Sequence, residues 1–140
     1  MSERSTIADG LVAGWVAAVL SGAPSTLHAL ATRADPLEAT LAAGTLLLPR
    51  ERRKTVLVLA ALPVHVALSL GWSVALAALL PRRRPIACAT VAGLAIAALD
   101  LGVVGRRYPR IRALPLLPQI LDHAAYGAVV GAVLAFRRAR

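Results

Sequence analysis

Residues 55–80, TVLVLAALPVHVALSLGWSVALAALL, run for 26 positions without a formal charge, between the cluster Arg50, Glu51, Arg52, Arg53, Lys54 and the triplet Arg82, Arg83, Arg84. A stretch of that kind reads as a membrane span. At 1.5 Å of rise per residue a helix over it reaches roughly 39 Å, more than the ~30 Å hydrocarbon core requires, so it is expected to tilt, bend or overrun the interface. Every other segment must then suit a lipid solvent.

Composition points the same way. Of the 140 residues 58% are hydrophobic and the mean hydropathy is +0.69, more apolar surface than so short a chain can bury as a soluble domain. One membrane domain over the whole chain is the expectation. The net charge of +9 would otherwise suggest nucleic acid, but the cations gather between apolar runs, with no basic helix face and no interleaved aromatics. Anionic lipid headgroups are the expected partners, and nucleic acid is not. Cys88 is the single cysteine, which excludes an internal disulfide and a multi-cysteine metal site. Fifteen of the sixteen cations are Arg, and Ala, Leu and Val dominate, as in products of GC-rich bacterial genomes.

Taken in order, the chain divides into four spans. Ile7 to Ala23 is read as the first, about 25 Å long, and as retained: Asp9 stands where a secretory leader needs basic residues, and Pro24 falls just past any cleavage point. Arg33, Asp35 and Glu38 interrupt the next segment, and the apolar piece 37–48 is too short to cross. Asp35-Pro36-Leu37-Glu38 is a helix start, with Asp as cap, Pro at the first position and Glu at the third, so an interfacial or re-entrant helix over 36–48 is expected. The second span is 55–80. Pro81-Arg82-Arg83-Arg84-Pro85 is so tight a connection that the second and third spans are expected to be antiparallel neighbours. The third is 86–104; a basic segment and Pro115 and Pro118 lead to the fourth, 116–136. The expected fold is therefore all-α, an integral membrane four-helix bundle with a short helix after the first span.

Four crossings put both termini on one side. That side collects Arg4, Arg82, Arg83, Arg84, Arg137, Arg138 and Arg140, against the other nine cations opposite, which is little bias for the positive-inside rule. Because the Arg triplet and the Arg-rich tail abut their spans directly, termini in the cytoplasm of a bacterial inner membrane are the expectation.

In lipid, helices associate by close backbone approach and interhelical hydrogen bonds, so small residues three and four apart mark inner faces. The first span offers Gly10, Gly14, Ala17 and Ser21; the second His65, Ser69 and Ser73; the third Ala89, Gly93, Ala97 and Asp100; the fourth His123, Gly127 and Gly131. These stripes turn the intramembrane polar residues inward. Asp100 near the end of the third span and His123 near the start of the fourth form a candidate pair. Asp122 points about 100° away, toward the positive end of a helix or toward Arg106, Arg107, Arg110 or Arg112. His28 lies on the same side, and His65 deeper.

Two roles suit this polar cluster: a satisfied pair that fixes helix register, with His65 bonded to a carbonyl or serine, or a proton or ion relay. His28, His65 and His123 have no local ligand spacing, so no metal or other cofactor is expected. Ser21-Gly22-Ala23-Pro24-Ser25 lacks the flanking glycines of a nucleophile elbow, and no phosphate loop, dinucleotide fingerprint or HExxH occurs, so no catalytic residue is assigned. Ser21 and Ser25 read as packing and turn residues. Trp15 and Trp72 fall inside spans, as lipid-facing or groove-filling bulk.

The segment His123-Ala-Ala-Tyr126-Gly127-Ala-Val-Val-Gly131, with Gly10-Leu-Val-Ala-Gly14, resembles the last and first spans of small four-helix bacterial inner-membrane protein families of uncharacterised function. The resemblance implies a four-span bundle whose terminal helices pack through glycines. It carries over no catalytic residue. The leading functional expectation is a non-enzymatic structural, assembly or interaction subunit that packs through its Gly/Ala stripes against a membrane protein or a second copy. The alternative is a small oligomeric transporter or proton-coupled carrier using the Asp and His residues. A membrane-embedded lipid-modifying enzyme comes third.

Overall fold

The computed structural model describes residues 3–139, with side chains from residue 6 onward; the Arg4 side chain and Arg140, both counted above, lie outside the described residues. The chain folds as helices α1 (Glu3–Leu20), α2 (Ala23–Ala31), α3 (Glu38–Gly44), α4 (Lys54–Leu79), α5 (Pro85–Leu99), α6 (Pro109–Arg112) and α7 (Leu116–Arg138), with no strand among the described residues. Four segments are long and apolar enough to cross a bilayer: Thr6–Ala31, Lys54–Leu79, Pro85–Arg107 and Leu116–Arg138. It is an all-helical bundle with the build of a multi-pass membrane protein. Large apolar side chains cover the outside, Leu79 at 80% and Val19 at 78% exposure, whereas Asp9, Ser21, Ser69 and Ser73 are buried. That polarity, wet groups in and dry groups out, suits lipid.

The first span runs further than Ala23. Ser21 and Gly22 form a turn, and α2 continues to Ala31, so a helical rod bent at Ser21-Gly22 takes the place of a span ended by Pro24. Pro24 is the second residue of α2, where its missing N–H is tolerated, although it leaves the Leu20 carbonyl without its helical donor. Thr32, Arg33 and Ala34 close α2 with reverse bonds from Ala34 N–H to the Ala29 carbonyl (2.8 Å) and from Arg33 N–H to the Leu30 carbonyl (3.3 Å). Arg33 sits there at φ 57°, in the left-handed region that favours glycine.

The short helix after the first span is α3, narrower than 36–48. Asp35 Oδ1 accepts the Leu37 N–H (2.9 Å) and its carbonyl the Glu38 N–H (3.1 Å), so Asp35-Pro36 makes a turn and regular helix starts only at Glu38. Glu38 does not reach back as a cap; its carboxylate takes both Nε and Nη2 of Arg110 (2.6 and 2.9 Å), which fastens α3 to α6. The Lys54 ammonium, 2.6 Å away, and then the Leu37 N–H hold the Asp35 carboxyl below its ordinary value. Leu41, Ala42 and Gly44 are buried against the start of α4, where a Cβ on Gly44 would overlap the Leu57 carbonyl oxygen.

The bundle is an open arc. α4 packs on α1, α1 on α7, and α7 on α5, but α4 and α5 barely touch in spite of the short link between them. The expected pairing of the second and third spans is thus corrected. The reason lies in where each helix spends its small residues. A Cβ on Gly10 would come 2.6 Å from the Val74 Cα, and one on Gly14 would overlap the Ser73 hydroxyl, so that face of α4 is committed to α1. On α5 and α7, a Cβ on Gly93 would overlap the His123 carbonyl oxygen and one on Gly127 the Ala89 carbonyl oxygen, while one on Gly131 would reach within 2.6 Å of the Ile86 Cα. Ala97 is buried on the same stripe of α5. A five-residue link fixes where two helix ends meet and leaves the faces along their length free. Tyr126 crosses the core to donate its hydroxyl to the Ser69 carbonyl (2.5 Å), a polar tie between α7 and α4.

Candidate functional site

Asp100 stands where the helix of the third span changes pitch. After α5 the chain makes one wide turn over Asp100–Val104, in which the Gly105 N–H bonds back five residues to the Asp100 carbonyl, and then tightens over Gly105–Arg107. Such wide turns reorient a side chain relative to a regular helix and recur at functional positions. Opposite, Gly93 lets α5 approach α7 at the backbone of His123, and the imidazole of His123 turns toward the start of its own helix. Its Nε2 lies 3.3 Å from Asp100 Oδ2, and its Nδ1 lies 2.8 Å from the Gln119 carbonyl.

The hydrogen-bond inventory of this pair fixes a proton. The Gln119 carbonyl only accepts, so Nδ1 carries a hydrogen. In neutral imidazole Nε2 is then an acceptor facing a carboxylate oxygen, which also only accepts. The 3.3 Å contact is a hydrogen bond only when one more proton is present, on Asp100 or on Nε2. Remove that proton, and two lone pairs face each other.

Asp100, but not His123, opens onto the gap between α4 and α5. A lateral groove of about 470 Å³ there has Ala67, Leu68, Gly71, Trp72 and Ala75 of α4 as one wall, with Leu99 and Asp100 as the other. Ala67, Gly71 and Ala75 are spaced by four and form a ridge of small residues, and a Cβ on Gly71 would meet nothing within 4 Å. Trp72 lines this groove, and Trp15 is 54% exposed on the bundle exterior.

The other residues of the polar cluster do different work. His65, on an exposed face of α4, bonds through Nε2 to the Ala18 carbonyl (2.8 Å), near the end of α1. Asp122 accepts the Ser25 N–H at 2.9 Å, so it serves the first turn of α2 and meets none of the four arginines expected; the nearest of these to an acid, Arg110, is taken by Glu38. His65 and Asp122 therefore flank the bend in the first span, one at the end of α1 and one at the start of α2, where the backbone loses its regular partners. His28 is exposed on α2, and its ring makes no hydrogen bond to another described residue. Ser21 is buried at the bend, and the Ser25 hydroxyl donates to the Gly22 carbonyl (3.3 Å). No group of three or more His, Cys, Asp and Glu among the described residues is arranged to hold a metal.

Sequence reasoning missed the groove and the bend. The groove has a trace in Ala67-x3-Gly71-x3-Ala75, a second small stripe on α4 beside that of Ser69 and Ser73. Comparison with protein-family models, with curated proteins and with solved structures finds no match. The resemblance of the two glycine segments to four-helix membrane families thus gains no family from it.

Proposed function

We propose that this protein is a small proton-coupled carrier, working as an oligomer, whose active pair is Asp100 and His123. A single observation carries the reading: a carboxylate that needs a proton shared with the imidazole behind it to stay bonded stands at the wall of a lateral groove between α4 and α5. An amphiphile with a cationic or hydrogen-bond-donating head enters sideways from the lipid, its apolar part along Ala67, Gly71 and Ala75. Its head and the proton compete for Asp100, and His123 takes up or gives back the displaced charge. The setting we propose is the bacterial inner membrane with both termini cytoplasmic, supported by the Arg-rich composition and by Arg82, Arg83, Arg84, Arg137 and Arg138 placed directly at span ends.

The test is proton movement in vesicles that hold a pH-sensitive dye, with a lipophilic cation offered outside. The wild type is expected to release protons on cation addition, and Asp100→Asn and His123→Ala are each expected to abolish the response. A flux that survives both substitutions overturns the role of the pair.

A second reading, an interaction subunit, is favoured by one feature: the ridge of Ala67, Gly71 and Ala75 is not packed within the chain. The stripes of Gly10, Gly14, Gly93, Gly127 and Gly131 that first suggested partner binding are all consumed by internal packing. A transmembrane helix of a second copy seated on that ridge would make Gly71→Leu monomeric in mild detergent. An unchanged oligomer in that variant removes the ridge from this reading.

A further inference from the structure

Arg138 ends α7, at the opposite end of that helix from Gln119 and His123. Its Nη2 donates to the Ala77 carbonyl (2.7 Å), one of the last carbonyls of α4 that the helix itself leaves without a donor. Its Nε and Nη1 are buried and have no hydrogen-bond partner among the described residues. A guanidinium does not give up its proton at any ordinary pH, so this half-buried cation carries buried N–H donors that the described residues leave unused. Burial of that kind is costly unless an anion stands nearby.

A cavity of about 130 Å³ adjoins it, lined by Thr6, Ala77, Ala78, Leu80, Arg82 and Arg138. Among the described residues that lining holds the Arg138 guanidinium and the Thr6 hydroxyl, with Arg82 at its edge, and no carboxylate. Asp9, the buried acid on the same face, is committed to Arg137 Nε at 2.5 Å. The level is also defined: Thr6 opens the first span, Leu80 follows the second and Arg138 closes the fourth, so the cavity lies at the depth of lipid headgroups. Arginines at such depth between helices bind phosphate through short, charge-assisted bonds.

We infer that this cavity is a phosphate-group site and that an anionic phospholipid fills it, with Arg138 as its charge and the Thr6 hydroxyl beside it. The site is independent of the carrier proposal, since it lies at the other end of α7 and shares no residue with the Asp100 groove.

Native mass spectrometry of the detergent-purified protein titrated with phosphatidylglycerol or phosphatidylcholine tests it. Phosphatidylglycerol is expected to bind about tenfold more tightly, and Arg138→Gln to remove that preference, a loss of about 1.4 kcal/mol. Arg106→Gln, on the other face, is expected to leave it within about twofold, as for an exposed charge. Inorganic phosphate in excess should not compete; competition would assign the site to free phosphate and overturn the lipid as its occupant. Equal affinity for the two lipids in the wild type, or an undiminished preference in Arg138→Gln, overturns the site altogether. Should Arg138→Gln fail to fold, Thr6→Val decides: about threefold weaker phosphatidylglycerol binding supports the site, and unchanged binding refutes it.

Discussion

Gly127→Ala is the sharpest probe of how this bundle is held. The added Cβ would overlap the Ala89 carbonyl oxygen and stand 2.8 Å from its carbonyl carbon and 2.9 Å from the Thr90 Cα. All three are backbone atoms, so no side-chain rotation relieves the overlap, and α5 and α7 must part by about 1 Å to restore ordinary contact. Overpacking of this kind costs typically 1–3 kcal/mol, and we expect about 2 kcal/mol here. The helix-propensity gain of Ala over Gly, about 1 kcal/mol in water, offsets little, because the spans stay helical when the bundle comes apart in detergent. Gly71→Ala is the matched control, since its Cβ meets open space. Titration with sodium dodecyl sulfate, read by the fluorescence of Trp15 and Trp72, should show Gly127→Ala unfolding at clearly lower denaturant mole fraction and Gly71→Ala at or above the wild-type value. Equal midpoints for the two variants would refute the packing argument.

Tyr126→Phe removes the hydroxyl that reaches the Ser69 carbonyl and is expected to cost about 0.6 kcal/mol, and at most about 1.7, in the same titration, as interhelical hydrogen bonds in membranes do. Glu51 is held down to about 2 from an ordinary 4.5, first by the Arg53 side chain and then by the Arg53 and Arg52 N–H groups. A depressed carboxylate stabilises fully above its unfolded value and loses that effect as pH falls through its folded one, so the contribution fades from pH 4.5 toward 2. Glu51→Gln should flatten thermal stability measured over that window at low salt, and the difference should shrink in high salt because the pair is exposed. Arg33→Gly relieves a left-handed residue and should raise the midpoint of thermal unfolding by the equivalent of up to about 1 kcal/mol, read by circular dichroism. Single and double replacement of Asp100 and His123 by Ala should show a coupling of about 0.5–3 kcal/mol; strictly additive losses would argue against their bond.

Much of the fold was written in patterns that lipid makes unambiguous. A charge-free run longer than a bilayer allows few structures, and the glycines of α1, α5 and α7, with Ser69 and Ser73 of α4, marked faces that these helices turn inward. The meeting of Asp100 with His123 was legible because antiparallel spans bring a late residue of one beside an early residue of the next. What the sequence hid was tertiary. The link 80–84 gives proximity of two ends, yet α4 and α5 spend their small stripes on α1 and α7, and no periodicity tells which partner a stripe will take. The bend at Ser21-Gly22 was hidden for a related reason: Pro24 reads as a stop until Asp122, from a helix 97 residues further along, is found at the Ser25 N–H. His65 bonds a backbone carbonyl, one of the two partners expected of it, but that the carbonyl is Ala18's depends on where α1 ends.

The open seam between α4 and α5 is the claim on which the carrier reading turns. A spin label at Gly71→Cys in a Cys88→Ser background, in vesicles at high lipid-to-protein ratio, measures it by collision with oxygen and with a water-soluble nickel chelate. Strong oxygen and weak nickel broadening is predicted, the mark of a position that faces lipid. Broadening by neither reagent would mean that α5 covers the groove, and strong nickel broadening would mean that water does; either result contradicts the account.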